Sequence, residues 1–367
     1  MPLATPQGTL DFKSVDTITF VGASSNTVID TTTGSFGVGV DANGPTSNLH
    51  VVGDALITGN VAVTGTGSLT VPSGTTAQKP TGVTGMIRFN TTVGKLEFYN
   101  GAVWKFIGGV NAAGGTITNA YGYTVHTFSS SSTLTVTGGG EIEYLIVAGG
   151  GGGGASWEGG GGGAGGLMTG TIANLTPGTY TITVGAGGVG GRGSGASAMR
   201  VPAQGSNSSF PGFVALGGGV GGQNTPEQYP TGGGSGGGGT HTRVTPGNAT
   251  GSGQFGNTGG LGFEGILAGA GGGGAGAVGQ VSTSTKGGDG GVGLEYFGSY
   301  YAGGGGGARR SDTASTSGSG GSGGGGNGGT AGQSGTANTG GGGGGGAGGT
   351  NSIGGDGGSG IVIIRYL

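Results

Sequence analysis

Glu141-Ile-Glu-Tyr-Leu-Ile-Val-Ala-Gly-Gly-Gly-Gly-Gly-Gly154 joins two kinds of chain in one stretch. Its first half alternates and then turns wholly apolar, as a buried strand does. Its second half has no side chains. The mirror image closes the chain, where glycine-rich sequence runs into Ile361-Val-Ile-Ile-Arg-Tyr-Leu367. Of 110 glycines, 93 follow residue 110, so the fold depends on what the segment between these two strands does.

A flexible Gly/Ser linker is one reading of it. A solvated linker, however, has no use for the apolar islands Leu261-Gly-Phe-Glu-Gly-Ile-Leu267, Leu294-Glu-Tyr-Phe297 and Tyr300-Tyr301. Helix is disfavoured by propensity, and a pleated strand gains nothing from absent side chains. Ordering the 93 glycines costs on the order of 100 kcal/mol or more. Polyproline-II-like helices without side chains can pack side by side and bond to one another, which satisfies their buried N–H and C=O groups. No strict Gly-X-Y period is kept and prolines number 11, so collagen does not fit. The expected fold class is therefore all-β plus glycine-rich, with a small β-sandwich base carrying polyglycine-II-like loops. Strands are expected at 123–128, 132–136, 141–148, 167–172, 179–184 and 213–216, joined by 361–367. The glycine excursions then fall at 149–166, 185–206 and 217–358.

Upstream, Thr17-Ile-Thr-Phe-Val21 and Ser35-Phe-Gly-Val-Gly-Val40 read as short strands between turns. From Leu49 to Pro72 the chain repeats loosely every six residues, as in Ala55-Leu-Ile-Thr-Gly-Asn60 and Val61-Ala-Val-Thr-Gly-Thr66. Such units bury little alone and suit a stacked or multi-chain fibre shaft, although an ordinary meander also fits. Residues 73–84 read as a linker. Met86-Ile-Arg-Phe-Asn90, Lys95-Leu-Glu-Phe-Tyr99 and Ala102-Val-Trp-Lys-Phe-Ile107 form a three-stranded meander. Ile87, Phe89, Leu96, Phe98, Trp104 and Phe106 are expected on one face. Arg88, Lys95, Glu97 and Lys105 are expected on the other, with a type I′ turn at Asn100-Gly101. The division is thus 1–45, an N-terminal β attachment segment; 46–84, shaft and linker; 85–109, meander; and 110–367, the glycine-rich head.

Gly85-Met-Ile-Arg-Phe-Asn-Thr-Thr-Val-Gly-Lys-Leu-Glu-Phe-Tyr99 resembles a short β module of phage tail fibres and other virion fibre proteins. Phe36-Gly-Val-Gly-Val-Asp41 and Ser47-Asn-Leu-His-Val-Val-Gly-Asp54 are similar to fibre-like proteins of phages and large algal DNA viruses. Residues 123–367 resemble the glycine-rich domain at the ends of such proteins, through Tyr123-Thr-Val-His-Thr-Phe128, Pro177-Gly-Thr-Tyr-Thr-Ile-Thr-Val184 and Ser359-Gly-Ile-Val-Ile-Ile-Arg-Tyr366. The resemblance implies a structural or adhesive protein of a virion surface fibre, spike or capsid. Its partners would be copies of itself, as a homotrimer, other virion proteins, and a host glycan or protein. A minor capsid or cementing protein without a receptor role is the alternative.

Enzyme signatures here are only apparent. Gly185-Ala-Gly-Gly-Val-Gly190 spells a dinucleotide fingerprint, but Arg192-Gly-Ser-Gly195 cannot open the helix it needs. Gly233-Gly-Ser-Gly-Gly237 and Gly320-Gly-Ser-Gly-Gly324 match a nucleophile elbow by chance in so glycine-rich a chain. His50, His126 and His241 are scattered, there is no cysteine, and acids are few. No catalytic residue, metal or cofactor is expected. Charged residues are 7% and net charge is −3, so nucleic acid has no basic footprint. No apolar run suits membrane insertion, and the N-terminus lacks the pattern of a secretory leader. Recognition remains. Trp157, Glu158, Tyr229, Tyr296, Tyr300, Tyr301, Arg309 and Arg310 fall on the excursions and are the candidate receptor-binding residues. Aromatic faces with Arg and Glu beside them suit binding, and the same aromatics also suit packing between glycine helices.

Overall fold

The computed structural model describes residues 68–367, apart from 93, 194, 197, 243–244, 249–254, 266 and 311–315. Before residue 68 it describes the backbone of four strands and the isolated residues 61 and 66. The chain divides into two compact units, Met1–Val71 and Pro72–Leu367. Among the described residues no helix is long and apolar enough to cross a membrane.

In the first unit, Thr17–Val21, Asn26–Asp30 and Ser35–Val40 pair antiparallel in sequence order, and Leu49–Val51 adds in parallel. Asn26–Asp30 has the β-branched residues of a strand but was hidden between turns. The six-residue repeats lie mostly outside the described residues.

The second unit opens with the meander. Ile87–Asn90, Lys95–Tyr99 and Trp104–Phe106 pair antiparallel in the expected order. The expected faces need correction. Glu97 lies opposite Phe106, and Tyr99 opposite Trp104, so Trp104 and Phe106 share the face of Arg88 and Glu97. A shift of one residue in register exchanges the faces of a strand. That charged face is also the covered one, with Glu97 and Asn90 at 0% exposure. The stretch read as a linker covers it, through the parallel strand Ser73–Gly74 and the turn Thr76–Gln78. Lys79 Nζ lies 2.9 Å and Arg88 Nη1 3.5 Å from the Glu97 carboxylate, and Asn90 donates to it at 3.2 Å. A buried carboxylate is tolerated because it is paired in this way. Ile87, Phe89 and Leu96 stay 47%, 37% and 39% exposed. The turn also differs from the expected type. Gly101 alone takes a left-handed φ of 100°, and the Asn100 side chain accepts from the N–H groups of Ala102 and Val103.

The base of the head is a five-stranded antiparallel sheet in the order Thr116–Ala120, Tyr123–Phe128, Ile361–Tyr366, Gly140–Val147, Leu167–Leu175. A second sheet runs Gly178–Ile182, Ser132–Gly138, Asn111–Ala113. Phe128, Ile142, Tyr144, Ile146, Val362 and Ile364 of the first sheet share one core with Leu134, Val136 and Ile182 of the second. The other face of the first sheet buries Leu145, Val147, Leu167, Ile361 and Ile363 against Ala164, Ala275 and Ala302. The last strand is thus central and covered on both faces. This explains a run of four apolar residues where a half-exposed strand would alternate.

From the Val147 end of this sheet rise the glycine helices. Gly149–Gly154 is the clearest case. Its successive N–H groups donate to Ser206, Gly358, Gly163, Ala203, Gly355 and Gly160, at 2.9–3.0 Å. Acceptors three positions on step back by three residues, so those three neighbours run antiparallel. Its carbonyls accept from Gly218, Gly188, Gly343, Gly221, Gly191 and Gly346. Those donors step forward by three, so the other three neighbours run parallel. The repeat is three residues per turn, that of a polyproline-II-like helix, with six neighbours around one axis. Every N–H and every C=O of the run is bonded, which answers the solvation problem of a buried backbone. None of these six glycines has a left-handed φ. They are glycine for want of room, since a Cβ at any of them would come within 3.0 Å of a neighbouring carbonyl.

Candidate functional site at the loop end of the bundle

Gly149–Gly154 leaves the sheet and Gly159–Gly165 returns to it, with Ala155–Glu158 between them. Six residues at about 3.1 Å each carry this turn about 19 Å from the strands. Ser156 and Trp157 reverse the chain with consecutive left-handed φ values of 65° and 58°. Two such residues are strained for side-chain-bearing positions and need outside support. Neighbouring loops supply it. Gln223 Oε1 accepts from Ala155 N at 3.0 Å, Ser156 Oγ donates to the Thr225 carbonyl, and Ser352 Oγ accepts from Ser156 N. The Gln223 amide is itself held by the carbonyls of Arg200 and Pro226, each at 3.1 Å.

On this support three of the sequence-derived candidates converge. Trp157 is 38% exposed, and the Arg310 guanidinium lies over its ring at 4.5 Å. Glu158 is 1% exposed, with Oε2 at 2.8 Å from His241 Nδ1 and 3.3 Å from Asn224 Nδ2. Burial, and then the charge of Arg310, hold the His241 imidazole below its ordinary pKa. The ring is therefore neutral at pH 7, and its Nδ1–H donates to Glu158 Oε2. Thr240 Oγ1 donates to Asn224 Oδ1 at 2.9 Å and closes the network.

The other candidates lie elsewhere. Tyr229 leaves the same loop as Asn224 and is half-exposed. Arg309 extends away, giving Nη1–H to the Thr283 carbonyl at 3.1 Å. Tyr296 and Tyr301 belong to the hairpin Leu294–Tyr296 and Ser299–Tyr301 and pack against the second core of the base, where burial raises the Tyr301 hydroxyl. Tyr300 on that hairpin is half-exposed. His241 and Asn224 escaped sequence reasoning as site residues. A usable signal existed, because both follow the end of a glycine run, as Ser156-Trp157-Glu158 does.

The loop end therefore offers an indole with a guanidinium stacked on it, beside a buried carboxylate–imidazole pair with its hydrogen bonds already made. Such a surface can stack on a partner and hydrogen-bond at its rim. A search of curated proteins found no match to the chain. The model of a glycine-rich domain family matches residues 124–367, which spans both the sheet base and the helix bundle, and the chain belongs to that family.

Proposed function

We propose that this chain is a non-catalytic structural subunit of a virion fibre or spike, whose glycine-rich head is exposed and whose loop end attaches to a host surface. The observation that carries the reading is the gathering of Trp157, Arg310 and Glu158 on one loop cluster, at the far end of a bundle of hydrogen-bonded glycine helices. Rigid support with side-chain diversity confined to the loops is how binding surfaces are commonly built. The viral assignment rests on the resemblance of the meander and the flanking strands to fibre modules. A homotrimer fits the exposed Ile87, Phe89 and Leu96, since copies meeting on that face would cover it. Three weak sites on one particle then bind by avidity.

The test is immunogold labelling of virions with an antibody raised against the folded glycine-rich head. Gold at the outer ends of fibres supports attachment. Gold spread over capsid facets supports the cementing role instead. Particles that carry no label would remove the virion assignment.

A further inference from the structure

Away from the loop end, where the meander meets the lower edge of the head sheet, a cleft of about 670 Å³ opens. This is the size of a small-ligand site. Its lining includes Trp104 and Phe106 from the meander, Tyr123, Glu141 and Glu143 from the sheet, and Asn174. We infer that this cleft is a second binding site, and that its ligand is a neutral oligosaccharide.

The chemistry favours that class. Glu141 and Glu143 are two residues apart on one strand, so they share a face about 7 Å from each other. Lys105 holds Glu141 through Oε2 at 3.1 Å, and Arg365 holds Glu143 through Oε2 at 2.6 Å and 3.0 Å. Among the described residues, none donates to Oε1 of either carboxylate. Two oriented acceptors are thus presented with their charge already neutralised. That arrangement does not draw a free ion but suits hydroxyl groups, which donate without carrying charge. The Asn174 side chain is exposed and can both donate and accept. Partly exposed Trp104, Phe106 and Tyr123 supply flat apolar surface for the C–H face of a sugar ring. Arg365 lies over Tyr123 at 4.3 Å and Arg88 over Trp104 at 6.0 Å, so these rings are held in place before a ligand arrives. Preorganised groups lose less freedom on binding. The site shares no residue with the loop end and does not depend on the attachment reading.

The experiment uses the full-length protein and hexasaccharides of glucose, galactose, mannose and N-acetylglucosamine, followed by titration calorimetry and tryptophan fluorescence. At least one hexasaccharide is expected to bind and to change a fluorescence signal that survives Trp157→Ala and disappears in Trp104→Phe. The double variant Glu141→Ala with Asn174→Ala alters only exposed side chains. It should melt as the parent does and bind at least about tenfold more weakly, as expected for lost hydrogen bonds to a ligand. No binding by any of the four at millimolar concentration overturns the proposal. So does binding that the double variant leaves intact, or that Trp157→Ala abolishes.

Discussion

The sheet base and the glycine bundle of the head are both solid, and they are solid for opposite reasons. In the base, Leu134, Ile146, Ile182 and Ile364 fill the space between two sheets, and stability follows apolar volume removed from water. In the bundle there is almost nothing to remove. Its interior is peptide groups, and helices lie close enough for each N–H to reach a neighbouring C=O only because no Cβ intervenes. Substitution should therefore be harmful by subtraction in one region and by addition in the other.

The largest expected effect joins the two. Ile361–Tyr366 is the central strand of the base, and the glycine segment immediately before it bonds to Gly150 and Gly153. Deleting residues 361–367 exposes the edges of Tyr123–Phe128 and Gly140–Val147 and opens both cores. The truncated chain should show no cooperative melt by calorimetry and should aggregate. A sharp transition near the parental temperature would mean that the bundle stands without its base.

Next come the glycines. A Cβ at Gly342, Gly343 or Gly344 would meet a different neighbour in turn, the carbonyls of Gly162, Gly355 and Asn327, all within 3.0 Å. Each single alanine substitution should separate a different pair of helices and break bonds at about 1–3 kcal/mol per buried group left unpaired. All three should lower the melting temperature clearly. The base provides the control. Gly178 has no atom closer than 3.8 Å to an added Cβ, so Gly178→Ala should be neutral or stabilise by about 0.4–1 kcal/mol. Three harmless alanines in the bundle would erase the contrast.

Leu145→Ala tests the base by subtraction. The residue is fully buried in the second core, and its truncation should cost about 2–5 kcal/mol in denaturant unfolding. A loss as small as that of a surface substitution would show that side-chain packing does not carry the base.

The smallest effect is at the loop end. The folded-state pKa of His241 lies below its ordinary value of 6.5. Below that pH the unfolded chain takes up a proton that the folded chain resists. The contribution of His241 to stability is thus present above about pH 6.5 and declines as pH falls toward the folded-state pKa. His241→Gln should flatten this part of the pH–stability profile. An unchanged slope would remove His241 as its source.

What the sequence determined by itself was class and local form. Alternation and apolar runs located six strands of the two base sheets to within a few residues, from Tyr123–Phe128 to Ile361–Tyr366. Glycine density without a collagen period, broken by apolar islands, implied packed helices of three residues per turn. Trp157, Glu158 and Arg310 were legible as residues that interrupt glycine. Partnership was decided only in three dimensions. Gly151 and Gly343 are locally identical, and nothing in a glycine run encodes which of six neighbours its N–H will meet. That choice is fixed by strands and loops at the ends of each run. The same holds for the meander, where alternation defines two faces but not which face is covered. Residues 73–79 decided that, by bringing Lys79 to the Glu97 carboxylate. His241 and Glu158 are brought together in the same way. Their runs are adjacent helices of one bundle, and the backbone hydrogen bonds that pack the runs also align their ends.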